Sequence, residues 1–374
     1  MIWAIVSSGS GIVDAEHCRA WNSWSAELAE RDRQYEAITA ITLLGGKAMQ
    51  PAFLLPRSRA AVILATFSAI PCHADVDAST RQAAHAARVL TVAEAVGCGT
   101  KPIGKIIVAT LNRAPMVTLS ANGHSVTLIL DTGAERTVLT PEVAKLIGAQ
   151  PPAVEFQRRV RGIGGDLASH EVELRSFAAG EVAIPWRRVL VAPVNMAKVF
   201  PTPLDGLLGA DILSDFDVDL DLPRHQVTFY QKQTCPTAAP NWAGPYTSVS
   251  TGLSPGGRLF FPVQLDGHRL TAIIDTGSQL TVLATASARS LGLTEALLSR
   301  DRSVGTQGVA GGPLTSRVHQ FTRLQVGTEV IRNPQILVTD LSLNEADIVL
   351  GVDILNSRRL WLSYGSRRIF LSSR

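Results

Sequence analysis

Two short acidic segments contain the residues of this chain that are best suited to chemistry. Asp131-Thr132-Gly133 follows the apolar pair Ile129-Leu130, and Asp275-Thr276-Gly277 follows Ile273-Ile274. A carboxylate at the end of a buried strand is costly unless a partner or a reaction uses it. Two such carboxylates brought together can share one proton and hold one water molecule between them. The chemistry expected of this pair is general acid–base hydrolysis.

Both acidic segments lie within an internal repeat. Residues 123–148 align without a gap to residues 267–292, at an offset of 144, and 12 of the 26 positions are identical. A second pair of similar segments, residues 206–213 and 348–355, follows in each half. One Asp-Thr-Gly is expected by chance in roughly one chain in ten of this length. A repeat of this extent is not expected by chance, so the sequence predicts two similar halves.

Each half is predicted to be mostly β. Asn122-Gly123 and Asp266-Gly267 each separate two apolar stretches, and both dipeptides suit a tight hairpin turn because they tolerate positive φ. Each half is also expected to close with a hairpin, over residues 218–230 and 360–371. The halves therefore predict two small β domains.

Short helices are expected to interrupt the strands. In the first half Thr140 can cap a helix that begins at Pro141 and ends at Gly148. Asp211 and Asp353, two residues after a glycine in the second pair of similar segments, are expected to cap a terminal helix in each half. His124 and His268 fall in hairpin turns, which indicates surface positions.

Glycine-rich stretches lie between the two similar segments of each half. Glycine lets the backbone bend over a ligand and expose its amide groups. An ordinary surface hairpin is the alternative for either stretch alone, but the matching placement in both halves favours two flaps over a cleft. The predicted flap residues are Gly162, Ile163, Gly164 and Gly165 in the first half and Gly308, Val309, Gly311 and Gly312 in the second.

On these elements the chain resembles the retropepsin-like (clan AA) aspartic proteases that have two fused retroviral-type domains. The resemblance covers residues 105–374 and is carried by the two Asp-Thr-Gly segments, the two flaps, Leu207-Leu208-Gly209 and Val349-Leu350-Gly351. It implies an all-β fold of two tandem acid-protease domains that form a pseudo-twofold dimer with short helices. It also implies a psi-shaped loop around each aspartate and a six-stranded interface sheet. Pepsin-like enzymes carry a flap tyrosine, which neither stretch has.

The resemblance also implies roles for the residues of the acidic segments. Asp131 and Asp275 would be the catalytic pair of an endopeptidase, activating one water between them, with no metal or organic cofactor. The supporting residues would be Thr132, Gly133, Ala134, Thr276, Gly277 and Ser278. The expected substrate is a peptide or a protein, and the chain is expected to be active as a monomer. The alternative is a catalytically inactive or single-partner protein that binds peptides or scaffolds the cell envelope.

The two halves differ at one position beside the aspartates. Ser278 has a hydroxyl that could donate to Asp275, whereas Ala134 offers none to Asp131. A donor favours the charged form of a carboxyl group. The sequence thus predicts that Asp275 more often carries the charge and Asp131 the proton.

The residues before the repeat predict export. Residues 49–74 begin with basic residues, continue with a short apolar run and end with small residues that suit cleavage by signal peptidase. This order is typical of a secretory signal and indicates a periplasmic or secreted protein. The apolar run is too short to span a bilayer comfortably, so no stable membrane span is expected after its removal. The expected organisation is a non-native extension at 1–48 with translation starting at Met49, a signal at 49–74, a spacer or pro-segment at 75–104, a first domain at 105–233, a linker at 234–257 and a second domain at 258–374.

Cysteines and charge exclude several classes of protein. Cys98 and Cys235 flank the first repeat and could form a disulfide in an oxidising compartment, with two free thiols as the alternative. The four cysteines lack the paired spacing of a zinc site, so no metal is expected. The net charge is +3 on 374 residues and the basic residues are scattered along the chain. The sequence therefore shows no basic patch of the kind that binds nucleic acid.

Overall fold

The two halves of the repeat fold as similar β bodies in the computed structural model of the chain. The structure describes residues 5–7, 101–111, 113–154, 157–162, 165–196, 204–235, 238–308, 314–343 and 345–373. Both halves belong to one compact unit of the structure. Strands dominate and the helices are short, so the predicted all-β fold with two tandem retropepsin-like domains is confirmed.

Fourteen strands and two helices are described up to residue 231. They are β1 (Ile5–Ser7), β2 (Pro102–Ile107), β3 (Ala109–Leu111), β4 (Ala114–Ala121), β5 (His124–Leu130), β6 (Val138–Leu139), α1 (Pro141–Leu146), β7 (Gln157–Gly162), β8 (Gly165–Glu173), β9 (Phe177–Ala179), β10 (Val182–Ala183), β11 (Arg188–Val191), β12 (Gly206–Leu208), α2 (Ala210–Leu213), β13 (Phe216–Asp221) and β14 (Gln226–Gln231). Thr140 caps α1 by accepting from the Val143 N–H, as its position before Pro141 predicts.

The remaining elements repeat much of this order. They are β15 (Tyr246–Ser250), β16 (Gly252–Leu253), β17 (Leu259–Leu265), β18 (His268–Ile274), β19 (Val282–Ala284), α3 (Thr285–Ser290), α4 (Glu295–Leu298), β20 (Arg302–Thr306), β21 (Leu314–Gln320), β22 (Arg323–Val326), β23 (Glu329–Arg332), β24 (Gln335–Thr339), β25 (Ile348–Leu350), α5 (Val352–Leu355), β26 (Arg359–Ser363) and β27 (Arg368–Ser372). No helix in the described part of the chain has the length and apolar composition that a membrane span requires.

Equivalent hairpins start the repeat in both halves. In β4–β5 the turn residues Asn122 and Gly123 have φ of 52° and 84°, and in β17–β18 Asp266 and Gly267 have 46° and 86°. Positive φ at both central residues gives a turn whose twist matches the paired strands. The turn fixes the register, and alternate side chains such as Val117, which is fully buried, then face the core.

One sheet in each half holds the predicted site. In the first half its strand order is β1-β7-β8-β11-β6-β12-β5-β4-β9-β10, with β3 beside β4. In the second half the order is β20-β21-β24-β19-β25-β18-β17-β22-β23, with β16 beside β17. In both sheets a short central strand, β12 or β25, runs parallel to the strand that precedes the aspartate. The core is formed mainly by the buried apolar side chains of these strands.

A six-stranded sheet joins the halves, as the resemblance implied. Its order is β15-β27-β26-β13-β14-β2, so three strands come from each side of the repeat. Within this sheet the halves meet where β13 pairs with β26, and there Arg359 donates to both carboxylate oxygens of the buried Asp219 at 2.9 and 2.6 Å. A bidentate pair of this kind adds geometric specificity to the backbone ladder.

The stretch expected to be a linker, residues 234–257, contains two strands. β15 pairs with β27 at the edge of the interface sheet, and β16 pairs with β17. The segment therefore has the composition of a linker but also forms two short strand pairings. The predicted extension, signal and spacer fall outside the described residues, apart from β1 and residues 101–104.

Candidate active site

Asp131 and Asp275 lie at equivalent places, directly after β5 and β18. The Asp131 N–H donates to Leu208 O at 2.9 Å and the Asp275 N–H donates to Leu350 O at 3.0 Å. Each aspartate loop is thereby tied to the end of the parallel strand beside it, which gives the psi-shaped arrangement. Both side chains are fully buried.

Two glycines bring the aspartate loops together across the pseudo-twofold axis. A Cβ added at Gly277 would lie 2.6 Å from Asp131 Cγ, and one at Gly133 would lie 2.6 Å from Asp275 Oδ2. Real Cβ atoms do not approach other atoms that closely, so only glycine permits this packing. Each carboxyl group therefore lies against the loop of the opposite half, and the two form one site.

Thr132 and Thr276 connect the loops by reciprocal hydrogen bonds. The Thr132 N–H donates to Thr276 Oγ1 and the Thr276 N–H to Thr132 Oγ1, both at 3.1 Å. Their hydroxyls donate to Ile274 O at 2.8 Å and to Leu130 O at 2.6 Å, again in the opposite half. All these groups are buried, so the four bonds hold the loops rigidly in place.

The loop amides hold one oxygen of each carboxylate. The N–H groups of Gly133 and Ala134 donate to Asp131 Oδ1, both at 2.9 Å, and that of Ser278 donates to Asp275 Oδ1 at 2.9 Å. The Oδ2 atoms are buried and receive no N–H or O–H donor from the described residues. Because each carboxyl group acts on the pKa of the other, one shared proton would satisfy the pair.

The two carboxyl groups differ in proton affinity. Burial raises the pKa of Asp131 to about 6, against the lowering effects of its hydrogen bonds and of Arg258. Burial also raises the pKa of Asp275 well above its ordinary value, and the negative charge of Asp131 raises it further. Both effects favour a pair that still holds one proton near neutral pH, and the pair titrates as a unit.

The hydrogen bond on which the charge assignment from Ser278 was based is not formed. The Ser278 hydroxyl donates to Leu280 O at 2.7 Å, so its one proton is not available to Asp275. Only the backbone N–H of Ser278 reaches the carboxylate, and Ala134 supplies the same bond to Asp131. The difference between serine and alanine thus adds no donor to the pair.

Asp211 and Asp353 brace the loops and do not cap the helices as expected. The N-caps of α2 and α5 are Gly209 and Gly351. Asp211 Oδ1 accepts from the N–H and the hydroxyl of Thr137 at 2.9 and 2.8 Å. Asp353 binds Thr281 in the same way at 3.0 and 2.8 Å. Each carboxylate also accepts from one N–H of its own helix, that of Ile212 or Ile354, at 3.0 Å, so it joins the helix to the threonine beyond the aspartate loop.

Two further acidic residues anchor the parallel strands. Asp205 Oδ2 accepts from the Thr127 N–H at 2.7 Å, and Asp347 Oδ2 accepts from the Thr271 N–H at 2.9 Å. The sequence assigned no role to either residue, although their equivalent positions before β12 and β25 were a usable signal.

Arg258 is a residue of the site that the sequence prediction missed. It begins the second half, is 2 % exposed, and pairs with Glu135 of the first aspartate loop at 2.7 Å and with Glu345 at 2.8 Å. Its positive charge acts on Asp131. The available signal was a break in the repeat, because Arg258 and Glu135 correspond at the offset of 144 to Ala114 and Gln279.

The predicted flaps are described only in part. In the first half β7 and β8 pair as far as Gly162 and Gly165, while Ile163 and Gly164 fall outside the described residues. In the second half β20 and β21 form the hairpin and Gly308 is buried, while Val309, Gly311 and Gly312 fall outside.

Other candidates from the sequence lie away from the aspartates. His124 and His268 are exposed in their hairpins. Cys235 is disulfide-bonded, and Cys98 lies outside the described residues, so the pairing of these two stays a prediction. Among the residues that the structure describes, no three His, Cys, Asp or Glu side chains are grouped to hold a metal ion.

The buried pair is expected to make the protein more stable in mild acid than at neutral pH. Because the Asp131 pKa rises from 3.8 to about 6 on folding, its stabilising contribution is complete below pH 3.8 and disappears as pH rises through 6. The contribution is on the order of 3 kcal/mol. Urea unfolding from pH 4 to 8 measures it, as the difference between wild type and the Asp131→Asn/Asp275→Asn double variant. Equal pH slopes in both proteins would contradict the assignment.

Curated proteins match a limited part of the chain. DNA damage-inducible protein 1 of Eremothecium gossypii is 31% identical over 97 residues, which are 26% of this chain and 19% of that protein. UBA domain-containing protein Mud1 of Schizosaccharomyces pombe is 31% identical over 97 residues, 26% of this chain and 28% of that protein. The chain thus spans about a fifth to a quarter of the length of these relatives.

Solved structures of acid proteases are also similar. The aspartic proteinase from Irpex lacteus aligns with 72% of this chain and 97% of its own, at 14% identity and a TM-score of 0.41. A retropepsin-like aspartic protease from Rickettsia conorii aligns with 36% of this chain and 96% of its own, at 16% identity and a TM-score of 0.28.

The family model described as "Aspartyl protease" matches the chain twice. The matches cover residues 117–212 and 261–354, about half of the chain, and each includes one Asp-Thr-Gly loop with its parallel strand. The two matches coincide with the two halves that the internal repeat predicts and the structure displays. The chain therefore belongs to the aspartyl protease family, with two retropepsin-like domains in tandem.

Proposed function

We propose that this protein is an endopeptidase that hydrolyses peptide bonds with one water molecule held between Asp131 and Asp275. The observation that carries the proposal is the pair itself, two fully buried carboxyl groups from opposite halves, each packed against the loop that holds the other. Burying two acidic groups against each other destabilises a fold, and reciprocal threonine bonds hold them there. Such a cost is typical of a catalytic site.

Each aspartate has a separate task in the proposed reaction. Asp131, the charged member, takes a proton from the water as its oxygen attacks the scissile carbonyl carbon. Asp275, the protonated member, gives its proton to the carbonyl oxygen, which forms a neutral tetrahedral diol. In the second step Asp131 returns its proton to the amide nitrogen while Asp275 recovers one from the diol. The C–N bond then breaks to give a carboxylic acid and an amine.

A library of unmodified peptides tests the proposal. The purified protein is incubated with the library from pH 3.5 to 7.5, and new termini are identified by mass spectrometry. Cleavage that pepstatin blocks and that the Asp131→Asn/Asp275→Asn double variant lacks is expected. No cleavage at any pH would overturn the endopeptidase proposal and favour the peptide-binding alternative.

The proposal places the enzyme outside the cytoplasm, with residues 49–74 as a secretory signal. The signal-like order of basic, apolar and small residues and the disulfide-bonded state of Cys235 support export. Terminal sequencing of the protein isolated from its own host tests this, with a mature terminus at Asp75 as the expected result. Abundant peptides from residues 1–48 would contradict it.

A single chain is proposed to be the active form, since one chain supplies both aspartates. Specific activity that stays constant on dilution, together with a monomeric mass in solution, is expected. Activity that falls with dilution would contradict it.

A further inference from the structure

The surroundings of the two aspartates break the pseudo-twofold symmetry at one pair of contacts. Seventeen residues before Asp275 stands Arg258, and seventeen before Asp131 stands Ala114. Four residues after Asp131 stands Glu135, and the equivalent residue in the other loop is Gln279. A charged pair on one side thus corresponds to a neutral pair on the other.

Arg258 is held in place on every side. Its guanidinium donates to Glu345 Oε2 at 2.8 Å and lies 2.7 Å from Glu135 Oε1, and its backbone N–H donates to Ser254 Oγ at 3.0 Å. A Cβ at Gly256 would lie 2.7 Å from Glu135, so the segment before Arg258 packs closely on this loop. The cation is therefore fixed beside the first aspartate loop although it belongs to the second half.

The opposite side has no corresponding cation. Ala114 is fully buried in an apolar cluster with Ile129 and Val138. The side-chain nitrogen of Gln279 is buried and has no hydrogen-bond partner among the described residues. A charge near this loop would lack both a partner and access to water.

The other charged groups around the pair are already engaged. Arg136, on the first loop, binds Asp211 and Glu171, both at 3.2 Å, while Asp353 takes its donors from Thr281. Glu135 and Glu345 are the carboxylate partners of Arg258, at 2.7 and 2.8 Å. The positive charge of Arg258 lowers the pKa of Asp131, whereas the main effects on the pKa of Asp275 are burial, the charge of Asp131 and backbone N–H donors.

We propose that Arg258 is a positioning residue that holds the negative charge of the pair on Asp131 and leaves the proton on Asp275. The inference rests on the proposed function, because it decides which aspartate takes the proton of the water. In a symmetric pair the proton would occupy either side equally. With a fixed cation on one side, the two aspartates keep separate tasks in every turnover.

Replacing Arg258 by glutamine tests the inference through the pH profile. Without the cation Asp131 ionises at higher pH, so the acid limb of kcat/KM is expected to move up by about one pH unit, which corresponds to 1.36 kcal/mol. Arg258→Lys keeps the charge and is expected to restore most of the wild-type profile. Glu345→Gln leaves the cation less neutralised and is expected to move the acid limb to lower pH.

Arg358→Gln is the matched control for the loss of a buried arginine. Arg358 pairs with Glu329 at 2.7 Å, its side chain is 4% exposed, and its Nε, like that of Arg258, has no partner in the described structure. Its removal is expected to lower stability without moving the acid limb. Equal shifts in both variants would show a general effect of lost packing and would overturn the inference.

A readout that needs no activity separates the two proposals. Carboxyl ¹³C shifts of labelled aspartate, assigned with the single asparagine variants, report which side chain is charged at each pH. In wild type Asp131 is expected to ionise at lower pH than Asp275. In Arg258→Gln the two carboxyl groups are expected to ionise at more similar pH values. Cleavage with an unmoved acid limb and unmoved carbon shifts would overturn the role of Arg258 alone. Absent cleavage with the expected shifts would overturn the endopeptidase proposal alone.

Discussion

The Asp131→Asn or the Asp275→Asn substitution is expected to lower kcat/KM by about 10²- to 10⁴-fold, the contribution typical of general acid–base groups. Each substitution removes a different task, because one aspartate takes a proton and the other gives one. Stability at neutral pH is expected to rise in the same variants. An amide has no charge to desolvate, and burial is what raises the pKa of both carboxyl groups.

Cleavage of the best peptide from the library and thermal unfolding at pH 7 measure the two effects together. Asp340→Asn serves as the control, because Asp340 is exposed and lies outside the aspartate loops, and it should change neither quantity. Full activity in either single variant would contradict a site shared between the halves. A lower midpoint of thermal unfolding in both variants would mean that their lost activity reflects unfolding.

Alanine at position 277 is expected to abolish cleavage and to lower the free energy of unfolding by about 1–3 kcal/mol, the usual range for overpacking. The added methyl group would lie 2.6 Å from both Cγ and Oδ2 of Asp131. That carboxyl group cannot move aside easily, since Gly133 and Ala134 hold its other oxygen. The loops must separate, which moves the two carboxyl groups apart.

Gly305→Ala is the matched control for the methyl group. A Cβ at Gly305 meets no atom within 4 Å, and its φ lies outside the left-handed region. Activity and stability should match wild type or gain slightly from the lower entropy of the unfolded chain. Urea unfolding and peptide cleavage of both variants provide the comparison, and wild-type cleavage by Gly277→Ala would contradict the close approach of the loops.

Local features of the fold were predictable because they depend on neighbouring residues. The hairpin turn at Asn122-Gly123 follows from positive φ, and the capping of α1 by Thr140 follows from one side-chain oxygen. The partner of β15 is β27, more than a hundred residues later, so composition alone indicated a linker there. Long-range pairing of this kind leaves little trace in a single segment.

The residues of the site also differ in how well the sequence predicted them, for the same reason. The repeat located the aspartates, the threonines and the glycines, since each copy supports the interpretation of the other. Arg258 was missed because its contact with Glu135 depends on how the halves meet. Ser278 was misjudged because its hydroxyl has a nearer acceptor in Leu280 O, which only the loop conformation reveals.

The junction of β13 with β26 has a consequence for how such a site can change during evolution. In an assembly of two identical subunits every substitution appears on both sides of the axis, so a cation introduced beside one aspartate would also appear beside the other. Here one covalent chain supplies both sides of the interface sheet. Mutation can therefore alter the surroundings of either aspartate independently. Arg258 and Ala114 occupy equivalent positions in the two halves, and two identical subunits could not encode this difference.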